Sequence, residues 1–280
     1  SKISLGESSF VFCERIIMDE TSFKRATKSV RRKVITAISK SRKGHIGGAL
    51  SSVDVLYYLF KEQIVQISQV GKNTARPLVM SKGHSATAVL AVVDDLKNSD
   101  SLDFYNSNGS YLGNNPSELV EGIEFHTGSL GHGPGLGAGV ALAKKFEEED
   151  NAVCILMSDG ELNEGSVWEA FQFISKHRLN VSILIDNNNQ ICEDYLDAVS
   201  PEMDFESIFG GLGYEYCELD GHSLTDLQNL HPWILERQAP RVCCLKTIKG
   251  KGVSFMENVL KWHHSIPDET MFKQAMEELK

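Results

Sequence analysis

The sequence predicts an α/β fold: a mainly parallel sheet with helices on both faces, in a single domain spanning residues 1–280. Three observations predict it. Continuous apolar runs recur at residues 77–81, 153–157, 181–185 and 242–248, the signature of strands buried on both sides. Amphipathic stretches with helical spacing stand between them, as a βαβ chain requires. The runs end in glycine or in oxygen-bearing side chains, where ligands bind at the carboxyl ends of strands in open α/β sheets.

Taken in order, residues 1–20 form a lead-in segment without a pattern of its own. From Thr21 a helical face runs through Ala26, Val30, Val34, Ala37 and Ile38. Gly44, Gly47 and Gly48 surround His45 in what reads as a flexible turn, and a second helix is expected from Ser52-Val53-Asp54. His45 is either a capping turn residue or an imidazole presented beside closely approaching backbone. Residues 66–76 are a polar loop. The run at 77–81 ends at Lys82-Gly83-His84-Ser85, and a helix follows through Val89, Leu90 and Val93. A helix N-terminus opened by glycine favours anions, here with a cation and an imidazole beside it.

Residues 97–126 are rich in Asn and Gly without a shift in composition, so they read as an active-site loop and not as a linker. Residues 127–135 hold four glycines and Pro134, which suits the first turn of a helix from Leu136 to about Glu148. The run at 153–157 ends at Asp159-Gly160. An amphipathic helix follows, with Val167, Trp168, Ala170, Phe171 and Ile174 on its apolar side. The run at 181–185 ends in Asp186-Asn187-Asn188-Asn189-Gln190. A loop and a short helix then fill residues 191–210. Residues 214–219 alternate like a strand and end at Asp220-Gly221-His222-Ser223, with Ser223 as N-cap of the next helix. His132 and His222 both read as structural. The last strand meets Lys249-Gly250-Lys251-Gly252, and Trp262-His263-His264 precedes an acidic amphipathic tail.

Composition excludes several classes. A chain of 280 residues builds one large core, or two at most. With 41% hydrophobic and 24% charged residues it is an ordinary globular chain. A net charge of −10 argues against nucleic acid, and means that a phosphorylated ligand needs local cations or a metal. No apolar run is long enough to span a membrane, and no secretory signal is read at residues 1–16. Six scattered cysteines without a CxxC pair read as reduced thiols, which fits a cytoplasmic protein and offers no zinc spacing.

The βαβ unit at 153–190 carries the clearest chemistry. Adjacent parallel strands bring Asp159 and the Asn187, Asn188 and Asn189 cluster to one edge. A carboxylate, an amide oxygen and a backbone carbonyl make a hard, oxygen-only site suited to Mg²⁺ or Ca²⁺ with positions left for phosphate. Gly160 leaves room for a diphosphate against the backbone.

These residues resemble the thiamine-diphosphate motif, and the stretch DGELNEGSVWEA at 159–170 is similar to transketolases. SKGHS at 81–85, TGSLGHG at 127–133, DGHS at 220–223, TIKGKG at 247–252 and the tryptophan–histidine turn at 262–263 extend the resemblance over about residues 20–265. The resemblance implies a thiamine-diphosphate-binding fold. It implies a metal held by Asp159, Asn188 and the main-chain carbonyl of Gln190. Gly160, Glu161, Lys82, Lys249, Gly128, Ser129 and Leu130 are implied around the cofactor. His45, His84 and His263 are implied at the reacting centre, and Glu164 at a subunit interface, coupled to the glutamate that activates the cofactor. The sequence departs from the pattern at Ser158 and His264, where glycine is usual, and at Asn114-Asn115, where a histidine for substrate hydroxyls is usual.

Only the diphosphate-binding half of a transketolase is matched. The expected protein is therefore the N-terminal subunit of a split transketolase, moving a two-carbon ketol unit between sugars or sugar phosphates. Its expected partner is a C-terminal-type subunit, in an α2β2 heterotetramer. Other readings are a deoxyxylulose-phosphate-synthase-like or dehydrogenase-like thiamine enzyme component, and a catalytically silent scaffold.

Overall fold

The apolar runs pair into one five-stranded, wholly parallel sheet of order β1-β2-β3-β5-β4. The computed structural model describes residues 18–115, 117–192, 194–235 and 239–280. Most of the lead-in segment, Cys13 and Pro116 lie outside the described residues. The strands are β1 (Leu78–Met80), β2 (Val153–Ser158), β3 (Val181–Asn187), β4 (Glu215–Asp220) and β5 (Arg241–Lys246). The helices are α1 (Glu20–Ser41), α2 (Ile46–Lys61), α3 (Ala86–Leu96), α4 (Gly133–Phe146), α5 (Gly165–His177), α6 (Leu196–Val199), α7 (Phe205–Gly211), α8 (Leu224–Leu235) and α9 (Glu269–Glu278). No helix among the described residues is long and apolar enough to cross a membrane.

Strand periodicity divides the core. Cys154 and Leu156 of β2 and Leu184 of β3 face one layer, built by α1, α2, α3, α8 and α9. Val153, Ile155 and Met157, with Val181, Ile183 and Ile185, face the other, built by α4, α5 and α7. Alternate residues of a strand point to opposite faces, so a strand covered on both sides reads as an unbroken apolar run. Helices do lie on both faces.

Two helices begin earlier than their sequence suggests. α2 starts at Ile46, not Ser52, and takes Gly47 and Gly48 into its first turn. Those glycines serve close packing and not a turn. A Cβ on Gly47 would sit 3.0 Å from the Trp262 carbonyl oxygen, and one on Gly48 would sit 2.8 Å from Ser85 Oγ. α4 starts at Gly133, with Pro134 in its first turn. A Cβ on Gly133 would come within 2.2 Å of Ser81 Cβ, so glycine alone lets the helix end meet β1.

A buried clasp fixes the turns around the sheet edge. Arg31 donates to both Asp54 oxygens, at 3.1 and 2.5 Å. His222 Nε2 accepts from the Ile248 N–H at 2.8 Å, so Nδ1 carries the proton that bonds Asp54 at 2.5 Å. Burial alone would raise Asp54, but the Arg31 guanidinium and the His222 hydrogen bond together outweigh it and hold the carboxyl at about 2. This binds α1 and α2 to the turns after β4 and β5, and gives His222 the structural role its sequence context predicts.

Candidate active site

The carboxyl ends of β1, β2 and β3 open into a cavity of about 640 Å³. Its wall includes His45, Lys82, His84, Gly160, Asn188, Gln190, Lys249 and His263. That volume is within the ordinary range for small-molecule sites.

Asp159 follows β2 directly and is 1% exposed. One oxygen accepts the Gly160 N–H at 2.8 Å; the other accepts the N–H groups of Asn188 and Asn189 at 3.0 and 2.7 Å. These bonds tie the end of β2 to the end of β3. Burial, then the negative charge of Asp186, push the Asp159 carboxyl up to about 6, against the pull of the Gly160 and Asn189 N–H groups and the charge of Lys82. Asn189 has a positive φ of 56°, which lets the chain fold back after β3.

Asp186, the last acid of β3, is wholly buried and holds the opposite position electrostatically. It pairs with Lys82 and accepts from Thr247, Ser51 (2.7 Å) and Ser52 (3.0 Å). Burial would raise its pKa, yet Lys82 and these donors bring it down to about 2. Lys82 also donates to the Gly48 carbonyl at 3.1 Å. Sequence reading overlooked Asp186. Its signal was an acid closing an otherwise apolar strand.

Lys249 is buried and donates to the main-chain carbonyls of Gln190 (3.3 Å) and Ile191 (2.8 Å). Burial, then the charge of Lys82, lower its pKa to about 8. The Asn188 amide oxygen accepts from Gln190 N–H at 3.2 Å. The buried Gln190 Oε1 has no hydrogen-bond partner among the described residues.

Imidazoles crowd the other end of the cavity. His45 lies 4.7 Å from His84, 5.2 Å from His263 and 4.4 Å from His264 between ring centroids. His45 Nδ1 meets the Asn114 amide oxygen at 2.9 Å. An amide oxygen only accepts, so Nδ1 carries the proton and Nε2 keeps its lone pair. Burial lowers His45 to about 4, against the Asn114 bond, and lowers His263 to about 3, with Lys249 adding to the effect. Burial lowers His84 as well. At neutral pH the His45 and His263 rings are uncharged.

The other predicted residues scatter. Glu161 is wholly buried and absent from the cavity wall. It accepts from Ser81 Oγ (2.5 Å) and Gly131 N–H (2.9 Å) on one oxygen and from Ser158 N–H (2.8 Å) on the other, clamping three turns together. Ser158 has extended backbone and completes a capping box with Glu161, so its replacement of glycine creates no strain. Glu164 is exposed at the start of α5, outside the cavity. Leu130 lines the cavity at 41% exposure, whereas Ser129 and Asn115 are exposed beside it. Gly128 has φ 153°, and the Gly83 turn packs against its backbone. Ile191, Cys192, Val199 and Ser200 also line the cavity, from a segment without a strong sequence signal.

The donor set fits a hard cation carrying a diphosphate. Asp159 is a buried carboxylate that makes no direct salt bridge among the described residues: Lys82 acts on it from a distance and pairs with Asp186 instead. A divalent cation would supply a direct counter-charge, with Asn188 and the Gln190 carbonyl as further oxygens, and the two lysines stand beside them.

The family model for "Transketolase, thiamine diphosphate binding domain" matches residues 22–279. An apulose-4-phosphate transketolase subunit of Phocaeicola vulgatus is 32% identical, over 89% of this chain and 90% of its own length. A 6-deoxy-6-sulfo-D-fructose transketolase subunit of a Clostridium species is 33% identical, over 90% and 94%. The solved transketolase of Campylobacter jejuni superposes with a TM-score of 0.85 at 24% identity, covering 94% of this chain and 43% of that one.

Proposed function

The chain belongs to the transketolase family, through its thiamine diphosphate binding domain, and from that premise we propose that it anchors the cofactor in a split transketolase. Relatives of the same extent are transketolase subunits, and transketolases are transferases. The observation that carries the reading is the buried Asp159 carboxylate, which accepts the Asn188 N–H directly behind the wall that Asn188, Gln190, Lys82 and Lys249 line.

In this reading Asp159, Asn188 and the Gln190 carbonyl hold Mg²⁺, with Ca²⁺ as the other hard cation the oxygens accept. Gly160 leaves backbone room for the diphosphate, and Lys82 and Lys249 supply local positive charge in an acidic chain. Gly128, Ser129 and Leu130 line the cofactor's ring side. Glu161 acts through the turns it clamps. Bound thiamine diphosphate supplies the carbon nucleophile that carries a two-carbon ketol unit from ketose to aldose.

The chain's own residues handle protons. His45, His84 and His263 donate hydrogen bonds to developing alkoxides or accept hydroxyl protons. Their depressed pKa values keep lone pairs available at neutral pH. Asn114 fixes the ring of His45, and Asn114 and Asn115 bond sugar hydroxyls without carrying a proton, which sets the substrate apart from ordinary pentose phosphates. Sugars or sugar phosphates remain the substrate class. Glu164 meets a pyrimidine-binding partner subunit in an α2β2 assembly, in the cytoplasm.

The test measures ketol transfer by the purified chain alone and with candidate C-terminal-type subunits, beside calorimetry with thiamine diphosphate and Mg²⁺. Turnover is expected only in the complex. Full turnover by the chain alone refutes the split. A chain that binds no cofactor in any complex is a scaffold.

A further inference from the structure

We propose that His45, His263, His264 and Cys192 form a second cation site, which takes a thiophilic divalent metal of the Zn²⁺ class. It is chemically separate from the oxygen site at Asp159. One ring nitrogen from each of the three histidines lies within 4.8 Å of the others. Cys192 Sγ lies 3.5 Å from His264 Nε2. Tetrahedral zinc, with bonds of about 2.3 Å to sulfur and about 2.0 Å to nitrogen, separates a sulfur and a nitrogen ligand by about 3.5 Å and two nitrogens by about 3.3 Å. The sulfur–nitrogen pair already has that spacing, and the three ring nitrogens need close by no more than about 1.5 Å. Cys192 Sγ stands outside the 4.8 Å that encloses them and joins as fourth ligand by a movement of its exposed side chain.

Two further observations point to a ligand. His263 Nδ1 is buried without a hydrogen-bond partner among the described residues. His45 is held from behind by Asn114, the arrangement that fixes the tautomer of a metal-bound histidine and leaves its other nitrogen free. Three imidazoles and a thiol form a borderline-soft set, which Mg²⁺ and Ca²⁺ disfavour. The charge of Lys249 opposes a cation here, since it already acts on His45 and His263. Loss of the Cys192 proton on binding offsets it.

The site's distinguishing members come from outside the reacting histidines. His264 occupies a position where a glycine is usual, and Cys192 lies on the segment between β3 and α6. Both are exposed, so their replacement leaves the core intact. Occupancy withdraws His45 and His263 from substrate, which makes the metal an inhibitor. That consequence alone rests on the proposed reaction.

The experiment titrates the full chain with Co²⁺, zinc's spectroscopic stand-in, in excess Mg²⁺ and without thiamine diphosphate. One equivalent is expected to give the intense visible bands of tetrahedral cobalt and a sulfur-to-cobalt charge-transfer band, both displaced by Zn²⁺. Cys192→Ser removes the charge-transfer band. His264→Gly weakens binding at least about tenfold, since even outer partners of a metal ligand are worth 10–100-fold. A weak six-coordinate spectrum in the wild-type chain, or unchanged cobalt affinity in His264→Gly, overturns the proposal. The readout is independent of turnover, so it stands or falls apart from the transketolase assignment.

Discussion

Asp159→Asn tests the electrostatics of the anchor in the metal-free chain. The carboxyl titrates at about 6 in the fold against an ordinary 3.8. A raised carboxylate contributes stability that is present below its unfolded pKa and lost as pH rises through its folded pKa. The shift is about 2 units, at 1.36 kcal/mol each, so ionising Asp159 costs the metal-free fold about 3 kcal/mol by pH 7. Most of that loss falls between pH 4 and 6. Asparagine never ionises, so the variant escapes it. The variant has one acceptor oxygen where Asp159 has two serving three N–H groups, which offsets part of the gain equally at every pH. The signal is therefore the slope. Urea denaturation in chelator, at pH 4 and 7.5, should show the stability of Asp159→Asn rising relative to wild type by about 2–3 kcal/mol. Mg²⁺ with thiamine diphosphate should then stabilise wild type only. A difference independent of pH, or one of opposite sign, refutes the reasoning.

Lys82→Met strands the buried Asp186 and should destabilise the fold by about 3–5 kcal/mol in denaturant melts, with much of the loss recovered in Lys82→Met/Asp186→Leu. NMR titration should find His45 and His263 uncharged down to about pH 5, with midpoints of about 4 and 3. Asn114→Ala should move His45 lower still, because the Asn114 bond favours its charged form. Unfolded histidines take up protons near pH 6.5, so both residues withdraw stability as pH falls below that value, and thermal melts between pH 7 and 5 should show the decline. Gly133→Ala drives a Cβ into Ser81 and should cost about 1–3 kcal/mol by thermal or urea melts.

The strands, their parallel pairing and the positions of the ligand-bearing turns were legible because each is encoded locally. A strand buried on both faces must be apolar at every residue, and a turn that admits a ligand must open with glycine or a polar side chain. Asp159, Asn188, Lys82 and His84 could be singled out for the same reason: each closes a readable strand. Family resemblance extended that reading to Gly128, Leu130 and Lys249, whose turns match its motifs.

Pairings across the chain were not legible. Asp186 takes its meaning from Lys82, 104 residues earlier, and His45 from Asn114, 69 residues later. Glu161 matched the motif, but only the fold reveals that neighbouring turns occupy both its oxygens. The early start of α2 depended on what Gly47 and Gly48 pack against. No zinc spacing exists along the chain, yet His45, the adjacent pair His263 and His264, and Cys192 line one cavity. The sequence by itself determined the α/β class and the oxygen-bearing strand ends, since hydrophobic period and turn chemistry act over a few residues. Tertiary structure alone decided which charges are buried together, and so which carboxylate ionises easily and which resists ionisation, because desolvation and Coulomb energy depend on distances in space.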